Sequence, residues 1–135
     1  MLLLANTLEL KIKLNIMNNL IIDAAKDKIF FKIITDDKSY TNEYINSREN
    51  FDKFAILLFK FLEINRINIK AINNIFINQG PGKFSSIRAS IATAKAISLS
   101  NNLDIYGFNS DQVIGKNYSK ILQLFNKGLI KKNLI

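Results

Sequence analysis

Apolar and polar residues alternate without a break over residues 8–16, Leu-Glu-Leu-Lys-Ile-Lys-Leu-Asn-Ile. A period of two is the pattern of a strand with one buried face. Met17 follows as a candidate alternative start, so residues 1–17 read either as an N-terminal extension or as an added edge strand. A short apolar run, Leu20-Ile21-Ile22, then ends on a carboxylate, Asp23. Ala24–Asp27 make a turn, Lys28–Ile34 a second strand, Asp36-Asp37 another turn and Ser39–Ile45 a third strand. Successive strands joined by short turns predict a β-meander.

The period changes after Ile45. Asn46, with Glu49 three residues on, has the signature of an N-cap with a capping box, and predicts a helix reaching Asn65. Phe51, Phe54, Ala55, Leu58, Phe61 and Leu62 keep helical spacing and form its core stripe. Ile56, Leu57 and Phe59 fall off that stripe. They imply either a helix buried on a wide face or a second apolar face for a partner helix. Residues 67–73 link to a strand over 74–78. Gly80-Pro81-Gly82 then makes a tight turn around the chain's only proline and opens into an Ala/Ile-rich helix over 84–100. Phe84, Ile87, Ile91, Ala94 and Ser98 are expected on its packed side, while Ala89, Ala92 and Ala96 leave room for close approach. Asn101-Asn102 ends it. Residues 103–107 predict a fifth short strand. Ser110 is expected to cap a last helix through Ile114, Tyr118, Ile121, Leu122 and Phe125, and residues 127–135 a frayed basic tail.

The predicted order is β-β-β-α-β-α-β-α. It implies an α/β fold, a mixed sheet with packed helices, in the order of a ribonuclease-H-like lobe. At 135 residues the chain is one domain with room for a core.

Composition narrows the chemistry. There is no cysteine, hence no disulfide framework and no thiolate metal site. There is no histidine, so Ser-His-Asp and Cys-His systems are excluded. The net charge of +8 reflects either heavy use of Ile, Asn and Lys with scattered lysines, or a surface for polyanions. No apolar run of ~18 residues is present to span a membrane. Met1-Leu2-Leu3-Leu4-Ala5 lacks the preceding basic residues and the length of a signal peptide, so a cytoplasmic location is expected.

The strand–turn–helix at residues 74–100 gathers backbone N–H groups at a helix start. Gly80, Pro81, Gly82, Lys83, Ser85 and Ser86 are therefore a candidate anion site. It is not a P-loop: Ile77 stands where the first glycine belongs and Phe84 follows the lysine. Metal-dependent nuclease chemistry needs several converging acids. Asp23 sits at a strand end, but Asp104 and Asp111 are isolated, and such an aspartate commonly caps a turn. No catalytic residue and no metal or cofactor is expected, which points to a binding or scaffold subunit.

Residues 79–96, Gln-Gly-Pro-Gly-Lys-Phe-Ser-Ser-Ile-Arg-Ala-Ser-Ile-Ala-Thr-Ala-Lys-Ala, resemble the Gly-Pro-Gly-Ser-Phe-Thr-Gly-Leu-Arg-Ile-Gly-Leu-Ala-Thr-Ala-Lys-Gly segment of the TsaB (YeaZ) family. Leu20–Asp23 is similar to that family's opening strand, and Ile105–Ser110 to its lead into a second lobe. The resemblance covers residues 18–115. It implies the first lobe of the actin-like ATPase (ASKHA) fold over 18–109. It also implies that residues 110–135 are the remnant of a second lobe that is largely missing. It implies a non-catalytic scaffold for a TsaD-like, ATP-binding enzyme that threonylcarbamoylates adenosine 37 of ANN-reading tRNAs. A TsaE-like ATPase joins such a complex, a homodimer forms in its absence, and tRNA is contacted indirectly. Pairing would use the helices at 47–65 and 84–100, with Phe51, Phe54, Ile56, Phe59, Arg88 and Ala92 at the interface or supporting it. The family's Thr-Ser after the first strand is Ala24-Ala25 here, which weakens any nucleotide site. The alternatives are a minimal nucleotide- or phosphate-binding lobe built on Gly80–Ser86, and a small basic tRNA-binding module.

Overall fold

A computed structural model describes residues 17–132. The strand predicted over 8–16 lies outside the described residues, as do the last three positions. The elements run β1 (Asn19–Asp23), β2 (Lys28–Ile34), β3 (Ser39–Ile45), α1 (Arg48–Asp52), α2 (Phe54–Ile64), β4 (Asn74–Asn78), α3 (Phe84–Asn101), β5 (Asp104–Phe108), α4 (Ser119–Asn126) and β6 (Lys131–Lys132). Short 3₁₀ turns at Ile69–Ala71 and Ser110–Gln112 precede β4 and follow β5.

The strands form one sheet in the order β3-β2-β1-β4-β5-β6. The meander β1-β2-β3 is antiparallel, β4 and β5 add in parallel beside β1, and β6 closes the far edge antiparallel. Every residue of β1 and β4 is buried, as expected of central strands covered on both faces. The alternation of side chains splits them between two cores. Leu20, Ile22, Ile29, Phe31, Ile33, Ile75 and Ile77 pack beneath α2 and α3. Phe31 anchors that layer, with the rings of Phe54 and Phe61 at 5.3 and 5.7 Å. Ile21, Phe30, Phe76 and Phe108 point to the other face, where Tyr118 and Ile121 cover them. The mixed α/β architecture read from the sequence is the observed one.

Several local expectations change. The helix predicted from Asn46 to Asn65 is two helices, broken at Lys53 (φ −104°, ψ 23°). Its N-cap is Ser47, whose side chain accepts the Asn50 N–H. Asn46 is instead buried, and its amide donates to Ala24 O and Lys26 O at 2.9 and 2.8 Å. The carbonyls of the β1–β2 turn need a buried donor, and that demand outcompetes capping. The break at Lys53 shifts the phase of the stripe, so Leu57 joins the core and Ala55 is exposed.

Helix α3 seats Ser86, Ile87, Ser90, Ala94 and Ile97 on the sheet, leaving Phe84 70% exposed. Small serines permit close packing, and their hydroxyls are satisfied by backbone carbonyls: Ser86 by Ala24 at 2.7 Å and Ser90 by Ile87 at 2.7 Å. The last helix starts at Ser119 rather than after Ser110. Asn109 and Gln112 close a capping box around the 3₁₀ turn, and Ile114 is exposed. The tail does not fray at Lys131-Lys132. These residues pair with β5, and the Lys132 ammonium reaches Asp104 at 2.8 Å.

Candidate functional site

The C-terminal ends of β1 and β4 meet at a buried polar cluster. Asp23 ends β1 and Asn78 ends β4, both on the face covered by α4. Asp23 Oδ1 accepts the Ala25 N–H at 3.1 Å and the Asn78 amide at 3.0 Å. Asp23 Oδ2 accepts the Tyr118 hydroxyl at 2.7 Å. Tyr118 stacks on Phe30 at 4.7 Å. Burial, then the negative charge of Asp23, push its phenol well above the ordinary tyrosine range. Both carboxylate oxygens are thus held by neutral donors. Among the described residues no group of three or more His, Cys, Asp or Glu is placed to hold a metal ion. Here Asp23 works as a tie between strand ends and the segment leading into α4.

The Gly-Pro-Gly loop is fastened to this cluster. Asn78 Oδ1 accepts the Gly80 N–H at 2.8 Å, Ser110 N–H donates to Gly80 O at 3.0 Å, and the Ser110 hydroxyl donates to Pro81 O at 2.7 Å. Gly80 has φ 106° and precedes a cis bond to Pro81. At Gly82 an added Cβ would overlap the Ala25 carbonyl, so the loop backbone lies directly on the β1–β2 turn. Lys83 N–H then donates to Ala25 O at 2.8 Å.

Of the candidate anion-site residues, the structure brings Gly80 to Ser86 together as one loop, but several of its groups face inward. The N–H groups of Gly80 and Lys83 are spent on Asn78 and Ala25, the Ser86 hydroxyl is buried against Ala24, and the Lys83 ammonium sits 3.8 Å from Asp27. Ser85 is exposed at the start of α3.

The predicted interface residues separate by depth. Phe54, the first residue of α2, is buried and belongs to the core, not to a contact surface; Phe51 is half-buried against the same core. Ile56 and Phe59 are 56% and 48% exposed. Arg88 is exposed, its guanidinium 5.3 Å from the Phe84 ring centre. Phe59 and Ala92 line a groove of about 390 Å³ between α2 and α3, with Ala55, Thr93, Ala96 and Ile97. Its lining is mainly apolar because one helix presents alanines where the other presents Phe59. Sequence reasoning missed Asn78 and Tyr118 as cluster members. Tyr118 lies 95 residues from Asp23, so no local spacing marks the pair.

Comparison with known proteins places this architecture in the ribonuclease-H-like class. YeaZ from Pseudomonas aeruginosa superimposes with a TM-score of 0.63 at 13% identity, over 69% of this chain and 44% of that one. The T. thermophilus RuvC in complex with Holliday junction substrate superimposes with a TM-score of 0.58 at 7% identity, over 87% of this chain and 99% of RuvC. At these identities the likeness is one of fold.

Sequence similarity gives a second comparison. The chain is 32% identical over 69 residues, 51% of its length, to the tRNA threonylcarbamoyladenosine biosynthesis protein TsaB of Buchnera aphidicola subsp. Schizaphis graminum. The match spans 33% of that relative. No protein-family model matches the chain. Sequence and fold comparisons point the same way: over 69 residues the chain is similar to TsaB, and its sheet shares the ribonuclease-H-like fold of YeaZ.

Proposed function

We propose that this protein is a non-catalytic scaffold in threonylcarbamoyl modification of adenosine 37 in ANN-reading tRNAs, acting in the cytoplasm through a TsaD-like, ATP-binding enzyme. The groove between α2 and α3 carries the proposal. It is mainly apolar and lined by alanines and by exposed Phe59; Ile56, three residues before Phe59 on α2, is exposed as well. Two packed helices that leave such a seam open offer a partner's helices a place to complete a bundle. The similarity to TsaB supplies the pathway, and a TsaE-like ATPase would join the assembly. Contact with tRNA would then run through the enzyme. Asp23, held by Tyr118, Asn78 and Ala25, is occupied in structure and is not offered a reaction.

The test is association with the TsaD-like protein of the same source. The Ile56→Asp, Phe59→Asp double variant should lose the complex while keeping the circular-dichroism spectrum and melting transition of the parent. Undiminished binding by a folded double variant overturns the groove as the contact.

A further inference from the structure

Helix α3 carries Arg88 and Lys95 and no carboxylate along its whole length. The two cations are one heptad apart, so they stand on one line of the helix, about 10 Å from each other along its axis. Ala92 lies on that line between them, and Leu99, 86% exposed, continues it. Ile97, which packs in the core, is on the opposite side of α3. Arg88 and Lys95 therefore flank the α2–α3 groove on its α3 side, beside Ala92 and Ala96 of its lining. Neither forms an ion pair among the described residues. Across the groove α2 adds Lys60, and Glu63 is its only carboxylate. The rim of a mainly apolar seam is thus positive. Flanking charges at heptad spacing are the positions through which packed helices choose partners.

We propose that the element that fills this groove is an amphipathic helix of a different protein, with two carboxylates one heptad apart on the edge that meets α3. This rests on the scaffold role proposed above and adds to it the chemistry that the partner must present. The apolar face of that helix covers Phe59, Ile56 and Leu99, while its carboxylates meet Arg88 and Lys95. The chain cannot supply such a helix itself. Among the described residues α3 and α4 have no carboxylate, α2 has Glu63 alone, and α1 has Glu49 and Asp52, which are less than one turn apart. Residues 1–16 contain a single one, Glu9. A second copy would also bring the cations of α3 against a chain of net charge +8. Charge complementarity therefore selects an acidic helix and rejects a basic one.

The probe is the TsaD-like protein of the same source. Its complex with the parent chain should weaken as salt is raised. Arg88→Glu with Lys95→Glu should weaken it about tenfold or more at low ionic strength, mostly through slower association, and the gap should close at high salt. Arg88→Gln with Lys95→Gln should fall between parent and reversal. Neither side chain has an ion partner to lose, so both double variants should keep the melting transition of the parent. Carbodiimide coupling reads the contact directly, because it joins a lysine to a carboxylate that touches it. Lys95 in the parent, and position 88 in Arg88→Lys, should couple to two carboxylates of one partner helix, one heptad apart. A complex indifferent to charge reversal, or couplings that are absent or reach separate elements, overturns the proposal. If that complex is still lost in the Ile56→Asp, Phe59→Asp variant, docking through the groove stands and the acidic helix alone is refuted. No complex at all refutes both.

Discussion

The Tyr118 hydroxyl donates to Asp23 Oδ2 at 2.7 Å, tying the segment before α4 to the end of the first strand across 95 positions of chain. Removing the hydroxyl leaves one oxygen of a buried carboxylate without its protein donor. Tyr118→Phe should therefore cost about 1–3 kcal/mol in urea unfolding, although the ring keeps its stacking on Phe30. A midpoint unchanged at constant slope would show that the bond contributes nothing.

The same residue predicts a pH dependence. Burial and the Asp23 charge raise the Tyr118 phenol above its unfolded value of about 10. Below that value the phenol is protonated in both states, and its contribution to stability is fully present. Above it the unfolded chain loses the proton and the native chain keeps it, so stability falls by up to about 1.4 kcal/mol per pH unit. Stability curves of the parent and Tyr118→Phe between pH 9 and 11 should converge as pH rises. Parallel curves would contradict the shift.

Gly82 is expected to tolerate no side chain. An added Cβ meets the backbone of Ala25, whose carbonyl accepts the Lys83 N–H while the Ser86 hydroxyl holds the adjoining Ala24 carbonyl. Gly82→Ala should destabilise by about 1–3 kcal/mol through displacement of the loop. Thermal unfolding measures this, and an unshifted transition would mean that the loop is free to lift off the turn.

Adjacent residues of α2 should behave in opposite ways. Leu57 is buried, whereas Ile56 is exposed. Leu57→Ala should cost about 2–5 kcal/mol and Ile56→Ala less than about 0.5 kcal/mol. Chemical denaturation of the pair separates the core face of α2 from its free face. Comparable losses would mean that Ile56 is packed.

The fold was legible where apolar periodicity was strong. β2, β3 and β4 fall on their predicted residues because alternation, or a continuous apolar run between turn residues, fixes both type and limits. The helix after β3 was misjudged because its stripe continues through Lys53 in the sequence, while the buried demand for the Asn46 amide at the β1–β2 turn starts the helix one residue later. Ser86 and Ser90 escaped the predicted core since a hydroxyl reads as polar until its carbonyl partner is known. The loop Gly80–Ser86 was visible from its glycines and proline. Its attachment to Asn78 and Ser110 was not, because Asn78 ends β4 and Ser110 follows β5, and only parallel pairing brings those strand ends together beside Asp23 at the end of β1.

The measurement that bears most directly on the proposed role is size-exclusion chromatography with light scattering, on this chain mixed with the TsaD-like protein from the same source. A mixed complex of defined mass, lost in the folded Ile56→Asp, Phe59→Asp variant, is the result expected of a scaffold that docks through the α2–α3 groove. Two proteins that elute separately at concentrations where each is folded would contradict that role.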